Sequence, residues 1–214
     1  MIPSAKKPRV LLADDHTLVV EGIQSLLASH VDLVGAASNG RELLEQARRL
    51  RPDIVIMDIS MPVMNGIEAA RQLRRTLPRT QVIFLTMHSD ALYVNEALYT
   101  GAAGFVLKRS ASSELLEAIQ TVAQGKRYIT PLLGEAFPRH PLRGDALVGG
   151  RLTERQREVL QLVAEGKSVK QIAAELNVSV KTAEFHKSSL MRRLGLHTTA
   201  DLVKYAVRTG ITSM

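Results

Sequence analysis

The sequence has no cysteine, no internal repeat, no low-complexity tract and no long apolar run. Without cysteine the chain cannot form a disulfide framework, a thiolate nucleophile or a cysteine-ligated zinc site. No stretch reaches the ~18 consecutive apolar residues that a membrane span needs. The N-terminal "MIPSAKKP" carries two lysines, but the apolar run of a secretory signal does not follow it. We therefore expect a cytoplasmic protein that does not act at a membrane.

Positive charge is concentrated near the C-terminus. The net charge is +7, and residues 151–214 contain 11 Lys and Arg against 6 Asp and Glu, whereas residues 1–130 contain 15 against 13. A basic segment indicates a polyanionic partner, commonly nucleic acid. A solvated basic surface with no partner would have the same composition, so charge alone does not decide between the two.

Short apolar runs alternate with longer amphipathic ones from Val10 to about Gln124. The short runs are "VLLA", "LVGAA", "IVIM", "VIFL" and "GFVL". The segments between them repeat apolar residues at helical spacing, as Leu43, Ala47 and Leu50 do. Continuous apolar strands that alternate with helices predict an α/β domain in which helices cover both faces of a five-stranded parallel sheet.

The rest of the chain divides into a join and a helical part. Residues 126–150 contain three prolines and no sustained period, which predicts a linker with a short helical piece at "LLGEAF". Residues 151–214 read as four helices. We therefore expect a flexible N-terminus at 1–8, one domain at 9–125, the linker at 126–150 and an all-α domain at 151–214.

Polar side chains stand where four of the five predicted strands end. Asp14 and Asp15 follow the first strand, Asp58 the third, Thr86 the fourth and Lys108 the fifth. Ligands of open parallel sheets bind at this edge of the sheet. Any one of these residues alone would usually be a helix cap, a loop residue or a solvated charge. Their combination at one edge predicts a shared site.

Three carboxylates in one place repel each other unless a cation lies among them. With no histidine or cysteine cluster beside them, an all-oxygen site suits a hard divalent ion, most simply Mg²⁺. Lys108 adds a positive charge and Thr86 a hydroxyl, so the site can receive the oxygens of a phosphoryl group. An aspartate among them could attack phosphorus and become an acyl phosphate.

The stretches "VLLADDH", "IVIMDISMPVMNGIEAARQLR", "VIFLTMH" and "GAAGFVLK" resemble the receiver domain of bacterial two-component response regulators over residues 9–125. The resemblance implies a flavodoxin-like fold with Asp58 as the phosphoacceptor. It implies that Thr86 and Lys108 contact the phosphoryl group and that Phe105 is an aromatic switch that moves inward on activation. The Mg²⁺ ligands that it implies are Asp14, Asp15, Asp58 and the backbone carbonyl of Ser60.

Two positions near this site leave questions open. Many receivers have proline after the lysine, with a cis peptide bond, whereas Arg109 follows Lys108 here. A cis bond before a non-proline residue costs about 2.5–4 kcal/mol, so the local loop geometry is not predicted. His16 either lines the rim of the site or only begins a helix.

The predicted helix from Val180 to Leu194 has two different faces. Ala183, His186 and Leu190 lie on an inward face, so packing is the expected role of His186. The opposite face is polar and partly basic, and it is long enough to enter a major groove. Ser179 before it is a plausible N-cap, and Gly195 after it a C-cap.

The stretch from "LTERQREVL" to "TTADLVKYA" resembles the LuxR-type DNA-binding domain over about residues 151–209. Joined to a receiver, it makes the chain similar to response regulators of the NarL/FixJ type. The resemblance implies base contacts from Lys181, Glu184, Phe185 and Ser188, and phosphate contacts from Thr182, Lys187 and Arg192. Glu184 is either an acceptor for a cytosine amino group or a solvated residue neutralised by a nearby lysine.

The resemblance implies a transcription regulator that a histidine kinase phosphorylates on Asp58. It is expected to dimerise on phosphorylation and to bind promoter DNA, and RNA polymerase is a further candidate partner. Beyond accepting a phosphoryl group and losing it slowly, it is not expected to be an enzyme. The alternatives are a metal-dependent phosphatase or hydrolase, a DNA binder with a vestigial receiver, and an RNA-binding antiterminator.

Overall fold

A computed structural model describes residues 7–87, 94, 97–134, 152–209 and 211–212 of the chain. Most of the N-terminal segment predicted to be flexible, and all of the predicted linker after residue 134, lie outside these residues. No helix among those described is both long and apolar enough to cross a membrane.

The first part of the chain is a parallel sheet of six strands in the order β2-β1-β3-β4-β5-β6. The strands are β1 (Arg9–Ala13), β2 (Asp32–Ala37), β3 (Ile54–Met57), β4 (Gln81–Thr86), β5 (Gly104–Leu107) and β6 (Tyr128–Ile129). The helices described around it include α1 (Thr17–Leu27), α2 (Gly40–Leu50), α3 (Gly66–Thr76) and α4 (Ala111–Ala123), the last preceded by a 3₁₀ turn at Lys108–Ser110. Residues 97–99, between β4 and β5, are also helical.

Both faces of the sheet are buried, as the continuous apolar strands predict. On one face, Leu43 of α2 and Leu73 of α3 pack in a cluster with Phe84. On the other face, Leu27 of α1 and Ile119 of α4 belong to a second cluster. The predicted α/β class and parallel sheet are therefore confirmed.

The count of five strands was wrong, because β6 lies inside the segment predicted to be a linker. Tyr128 N donates to Ala103 O, and Thr130 N donates to Phe105 O, each at 2.9 Å. A two-residue strand is too short to show a periodic pattern, since its place is set by its pairing with β5. A short helix, α5 (Pro131–Gly134), follows, and Leu133 packs into the same cluster as Phe105.

The second part is four helices around one apolar cluster, as predicted. They are α6 (Glu154–Ala164), α7 (Val169–Glu175), α8 (Val180–Leu194) and α9 (Thr199–Arg208). The cluster includes Leu160 of α6, Leu190 of α8 and Leu202 of α9. The predicted caps of α8 are confirmed, because Ser179 accepts a hydrogen bond from Thr182 N and Gly195 ends the helix with φ +65°.

Candidate functional site

Two aspartates and a lysine form a compact, buried group at the carboxyl end of the sheet. Asp14 follows β1 and Asp58 follows the neighbouring β3, and they are only 6% and 5% exposed. Lys108 Nζ lies 2.7 Å from a carboxylate oxygen of each. The other oxygen of Asp58 accepts a hydrogen bond from Ile59 N at 2.6 Å. The strand ends therefore bring these side chains together as the sequence predicts.

The charge of Lys108 is set by two opposing effects. Burial of the ammonium lowers its pKa, but hydrogen bonds and charge interactions with Asp14 and Asp58 outweigh burial, so that the pKa is raised. The lysine therefore stays protonated at neutral pH. A cation held between the two acids offsets their mutual repulsion.

The acid group is also a candidate metal site. Ligand atoms of Asp14, Asp15, His16 and Asp58 all lie within 4.8 Å of one another. Asp14 and Asp58 are buried while Asp15 and His16 are exposed, so the group opens to solvent on one side. Its carboxylate oxygens fit a hard divalent cation. The acidic pocket of receiver domains generally binds Mg²⁺, and the residues here suit that ion.

His16 has both of the roles considered for it. It is the N-cap residue of α1 but makes no side-chain capping hydrogen bond. Its ring Nδ1 lies 3.1 Å from Asp14 Oδ1 and 3.0 Å from Asp15 Oδ1. The histidine that begins the helix thus also lines the rim of the pocket.

Thr86 and Phe105 lie on adjacent strands beside this group. Thr86 ends β4, Phe105 lies in β5, and both side chains are fully buried. The role of Phe105 as an aromatic switch stays a prediction, because burial in one structure does not show a movement. Lys108 begins the 3₁₀ turn, and no peptide bond among the described residues is cis, so Arg109 is accommodated without the isomer common in receivers.

The loop that follows Asp58 is tightly constrained. A Cβ atom on Gly66 would lie 2.1 Å from the carbonyl oxygen of Asp58, so only glycine fits where α3 begins. Asn65 caps α3 by accepting from Glu68 N. Val63 has φ +66°, a conformation that a β-branched residue rarely adopts. The loop can hold this geometry only because its surroundings restrain it.

Part of that restraint comes from the helical domain. Gln161 of α6 is 3% exposed; its Oε1 accepts from Asn65 N at 2.8 Å, and its Nε2 donates to Met61 O at 2.8 Å. Glu165, one turn later, accepts from Val63 N at 3.0 Å. We call Gln161 and Glu165 the α6 clamp. Its two side chains are bonded to backbone groups of the loop that begins at the phosphoacceptor candidate.

Further contacts surround the α6 clamp. Asn65 Nδ2 donates to Ile211 O at 2.8 Å. Pairs of opposite charge join Arg157 to Glu68 and Arg75 to Glu154. Burial raises the pKa of Glu165. Sequence reasoning missed this interface, because no local pattern links residues about 100 positions apart.

The polar face of α8 is open to solvent. Lys181, Glu184, Ser188 and Arg192 are exposed, and the ring of Phe185 is 66% exposed. These include all four residues predicted to approach bases.

Two of the residues predicted to contact phosphate form hydrogen bonds with neighbouring side chains. The hydroxyl of Thr182 lies 2.7 Å from that of Ser179. Lys187 Nζ donates to the hydroxyl of Thr199 at 3.0 Å, which fixes the lysine against α9. His186 is half-buried, and its ring centroid lies 5.9 Å from that of Phe185 in an edge-on arrangement, so its packing role stays a prediction.

Comparison with known proteins also divides the chain into these two parts. The family model "Response regulator receiver domain" matches residues 10–120, and "Bacterial regulatory proteins, luxR family" matches residues 151–206. The fold and the two matches define a receiver joined to a LuxR-type helix-turn-helix.

Similar proteins share both parts. The transcriptional regulatory protein MctR of Rhizobium johnstonii is 38% identical over 97% of this chain and 96% of its own. The oxygen regulatory protein NreC of Staphylococcus haemolyticus is 35% identical over 94% and 97%. A structure of RcsB from Salmonella typhimurium matches with TM-score 0.63 and 30% identity, covering 96% of this chain and 99% of that one. A complex of RcsB with DNA matches with TM-score 0.60 and 29% identity, covering 95% and 99%.

This chain belongs to the NarL/LuxR family of response regulators of two-component systems. It is a transcription regulator with a receiver domain and a DNA-binding domain.

Proposed function

We propose that a partner histidine kinase phosphorylates this chain on Asp58 and that phosphorylation controls its dimerisation and its binding to promoter DNA. The observation that carries the proposal is the buried Asp58 carboxylate, with Lys108 at 2.7 Å and the acids of β1 beside it. Because the proposed partners are a kinase and promoter DNA, we propose that the chain acts in the cytoplasm. RNA polymerase is the partner through which a promoter-bound dimer would act.

The chemistry follows from the side chains around Asp58. A carboxylate oxygen of Asp58 attacks phosphorus, the bond from phosphorus to the histidine nitrogen of the kinase breaks, and that nitrogen keeps the electron pair. The product is an acyl phosphate. Mg²⁺, held by Asp14, Asp15, Asp58 and the carbonyl of Ser60, would neutralise phosphoryl oxygens. Lys108 supplies a second positive charge, and Thr86 a hydroxyl for a third oxygen.

The α6 clamp supports a direct route from Asp58 to the helical domain. A phosphoryl group on Asp58 changes the charge beside a loop whose backbone is bonded to Gln161 and Glu165. If the loop conformation that favours the acyl phosphate breaks the hydrogen bonds to Gln161 and Glu165, phosphorylation weakens the contact between the receiver and the helical domain. By thermodynamic linkage, loosening the contact then favours phosphorylation by the same factor. Release of the helical domain is thus a consequence of one local change.

The test is to treat the full chain with a small phosphodonor and Mg²⁺ and to follow phosphate incorporation, self-association and DNA binding in parallel. We expect incorporation of one phosphate per chain, together with a rise in dimer and in promoter occupancy. Incorporation without any change in self-association or DNA binding would contradict the regulatory part. Sustained release of inorganic phosphate from a phosphoester would instead favour a hydrolase.

Replacement of Lys187 with alanine should weaken DNA binding and flatten the salt dependence of the affinity. Lys187 is one of the residues predicted to contact phosphate, and its Nζ donates to the Thr199 hydroxyl at 3.0 Å. Loss of one phosphate contact lowers the slope of log affinity against log salt by about 0.9. The slope is measured by titrating duplex DNA at several salt concentrations, with Lys204→Ala, an exposed lysine of α9, as the control. An unchanged slope would show that Lys187 makes no phosphate contact.

Replacement of Gln161 with alanine should make the chain respond to less phosphodonor. The substitution removes the two hydrogen bonds from Gln161 to the loop and leaves Asn65 N and Met61 O without that partner, at a cost of about 1 kcal/mol per bond. We expect the phosphodonor concentration that gives half-maximal dimer to fall by up to about thirtyfold. Gln120→Ala, an exposed glutamine of α4, is the matched control and should respond like the unaltered chain. Equal responses of the unaltered chain, Gln161→Ala and Gln120→Ala would show that the α6 clamp does not restrain phosphorylation.

A further inference from the structure

The end of the receiver sheet opposite Asp58 carries a concentration of positive charge. In a parallel α/β domain, strand starts and helix ends share one edge. Backbone hydrogen bonds from Asp32 N to Pro8 O, Asp53 N to Arg9 O and Gln81 N to Asp53 O place the starts of β1 to β4 side by side there. We call six exposed cations at this end the basic edge: Arg48, Arg49, Arg51, Arg79, Lys126 and Arg127.

The cations of the basic edge are available to a partner. None of the six side chains has an ion pair or side-chain hydrogen bond with any residue that the structure describes. The two carboxylates that begin strands here are directed to Arg9: Asp53 accepts from Arg9 N at 2.9 Å, and Asp32 lies 3.9 Å from the Arg9 guanidinium. The edge therefore has a strong local excess of positive charge, although residues 1–130 together carry only a small one.

The helix dipole explains only part of this pattern. Arg48 and Arg49 lie in the last turn of α2, where the dipole favours cations. Arg79 precedes β4, and Lys126 and Arg127 precede β6, so these three do not complete the last turn of a helix. Helix dipoles therefore do not account for all six cations of the basic edge.

Two hollows at this end are partly lined by arginines. A cavity of about 410 Å³ has Arg51, Arg79 and the acid Asp53 in its lining, and one of about 310 Å³ has Arg74 and Arg127. Pro78 and Thr80 line both, so the two hollows adjoin. Across six strands spaced ~4.8 Å apart the edge is about 24 Å wide, long enough to follow several phosphates of a nucleic acid.

We propose that the basic edge is a second DNA-binding surface, which contacts the phosphate backbone of the duplex that α8 reads. Guanidinium groups match phosphates in charge and geometry. The pair Arg75–Glu154 joins the last turn of α3, which ends at this edge, to the start of α6 in the helical domain. A duplex bound by that domain would therefore lie near the receiver, where even weak contacts operate at a high effective concentration. Tyr128, the aromatic neighbour of Arg127, is buried, so the edge offers no ring for stacking single-stranded bases.

The observations favour DNA over a lipid surface. Binding within a membrane interface depends on exposed apolar side chains next to the cations. Of the large apolar side chains that the structure describes as exposed, Leu26 alone lies in the final turn of a helix that ends at this edge, and it is only 37% exposed. The chain also has a helix-turn-helix domain of a DNA-binding family, so a duplex is the polyanion that its second domain already brings to this surface.

The test uses the full chain and a duplex of about 40 base pairs of random sequence, long enough to reach both domains. The variant carries Arg48→Gln, Arg49→Gln, Arg79→Gln and Arg127→Gln. If each arginine contacts a phosphate, the slope of log affinity against log salt falls by about 3 to 4. A slope equal to that of the unaltered chain overturns the proposal.

A matched pair of single variants separates a local contact from a general loss of charge. Arg79→Gln lies on the basic edge, and Arg109→Gln is an exposed arginine at the opposite edge of the same sheet. We expect Arg79→Gln alone to lower the salt slope, and equal effects of the two would overturn the proposal. Incorporation of phosphate from a small phosphodonor shows that each variant is folded. Loss of binding to vesicles of anionic lipid, with DNA binding unchanged, would also overturn it, in favour of a membrane.

Discussion

Replacement of Asp58 with asparagine is expected to abolish Mg²⁺-dependent phosphate incorporation by the full chain. The carboxylate oxygen of Asp58 is the proposed nucleophile, and a neutral amide cannot replace it. The substitution keeps the side-chain volume and leaves Lys108 paired with Asp14, so the chain should remain folded. Incorporation of labelled phosphate from a small phosphodonor measures the effect, which should reduce the signal to background.

The same substitution elsewhere provides the control for Asp58→Asn. Asp32 begins β2 at the opposite edge of the sheet and is exposed, so Asp32→Asn should be labelled like the unaltered chain. Label on Asp58→Asn at the level of this control would refute the assignment of the phosphoacceptor. Loss of label from both variants would mean that labelling depends on charge rather than on one carboxylate, which also refutes it.

Replacement of Lys108 with alanine should destabilise the metal-free chain and make its stability depend strongly on Mg²⁺. Without the ammonium, Asp14 and Asp58 are two buried carboxylates without a counter-ion, and breaking a buried pair in this way costs about 3–5 kcal/mol. A divalent cation that binds only the folded state restores stability according to its concentration. Urea unfolding with and without Mg²⁺ measures both effects. Equal stabilisation of Lys108→Ala and the unaltered chain by Mg²⁺ would contradict the prediction.

The pKa of Lys108 adds a pH dependence to this prediction. Because its folded pKa is raised above the ordinary value of 10.5, the lysine binds a proton more tightly in the folded chain. Its contribution to stability is therefore fully present below that ordinary value and is lost as the pH rises through the folded pKa. Lys108→Ala should lack this alkaline loss of stability, and urea unfolding over an alkaline pH series tests it.

Local sequence patterns predicted the parts of the pocket that strands position. Asp14, Asp58 and Lys108 each follow an apolar run directly, and neighbouring parallel strands end at one edge, so order along the chain was enough to bring them together. The capped recognition helix could be predicted in the same way, because Ser179, Gly195 and the helical period are local signals. Burial of Phe105 follows from the continuous apolar strand β5, whereas a switching movement of its ring depends on how the core repacks and stays a prediction.

Features that depend on distant pairing were not predicted. The strand β6 is two residues long and exists only because β5 offers it a partner. The α6 clamp joins side chains to backbone groups about 100 residues away, and neither Gln161 nor Glu165 differs in sequence from an ordinary polar residue on a helix. The positive φ of Val63 is also invisible in sequence, because a β-branched residue normally argues against that conformation.

The exposure of α8 while α6 is docked on the receiver has a consequence for control in the cell. The docked helix is α6, and the side chains of α8 that are predicted to approach bases, such as Lys181 and Phe185, are uncovered. Under the proposed function, this face of α8 does not have to be uncovered by phosphorylation. The proposed signal would then change DNA occupancy through the pairing of two copies rather than through the accessibility of one recognition helix.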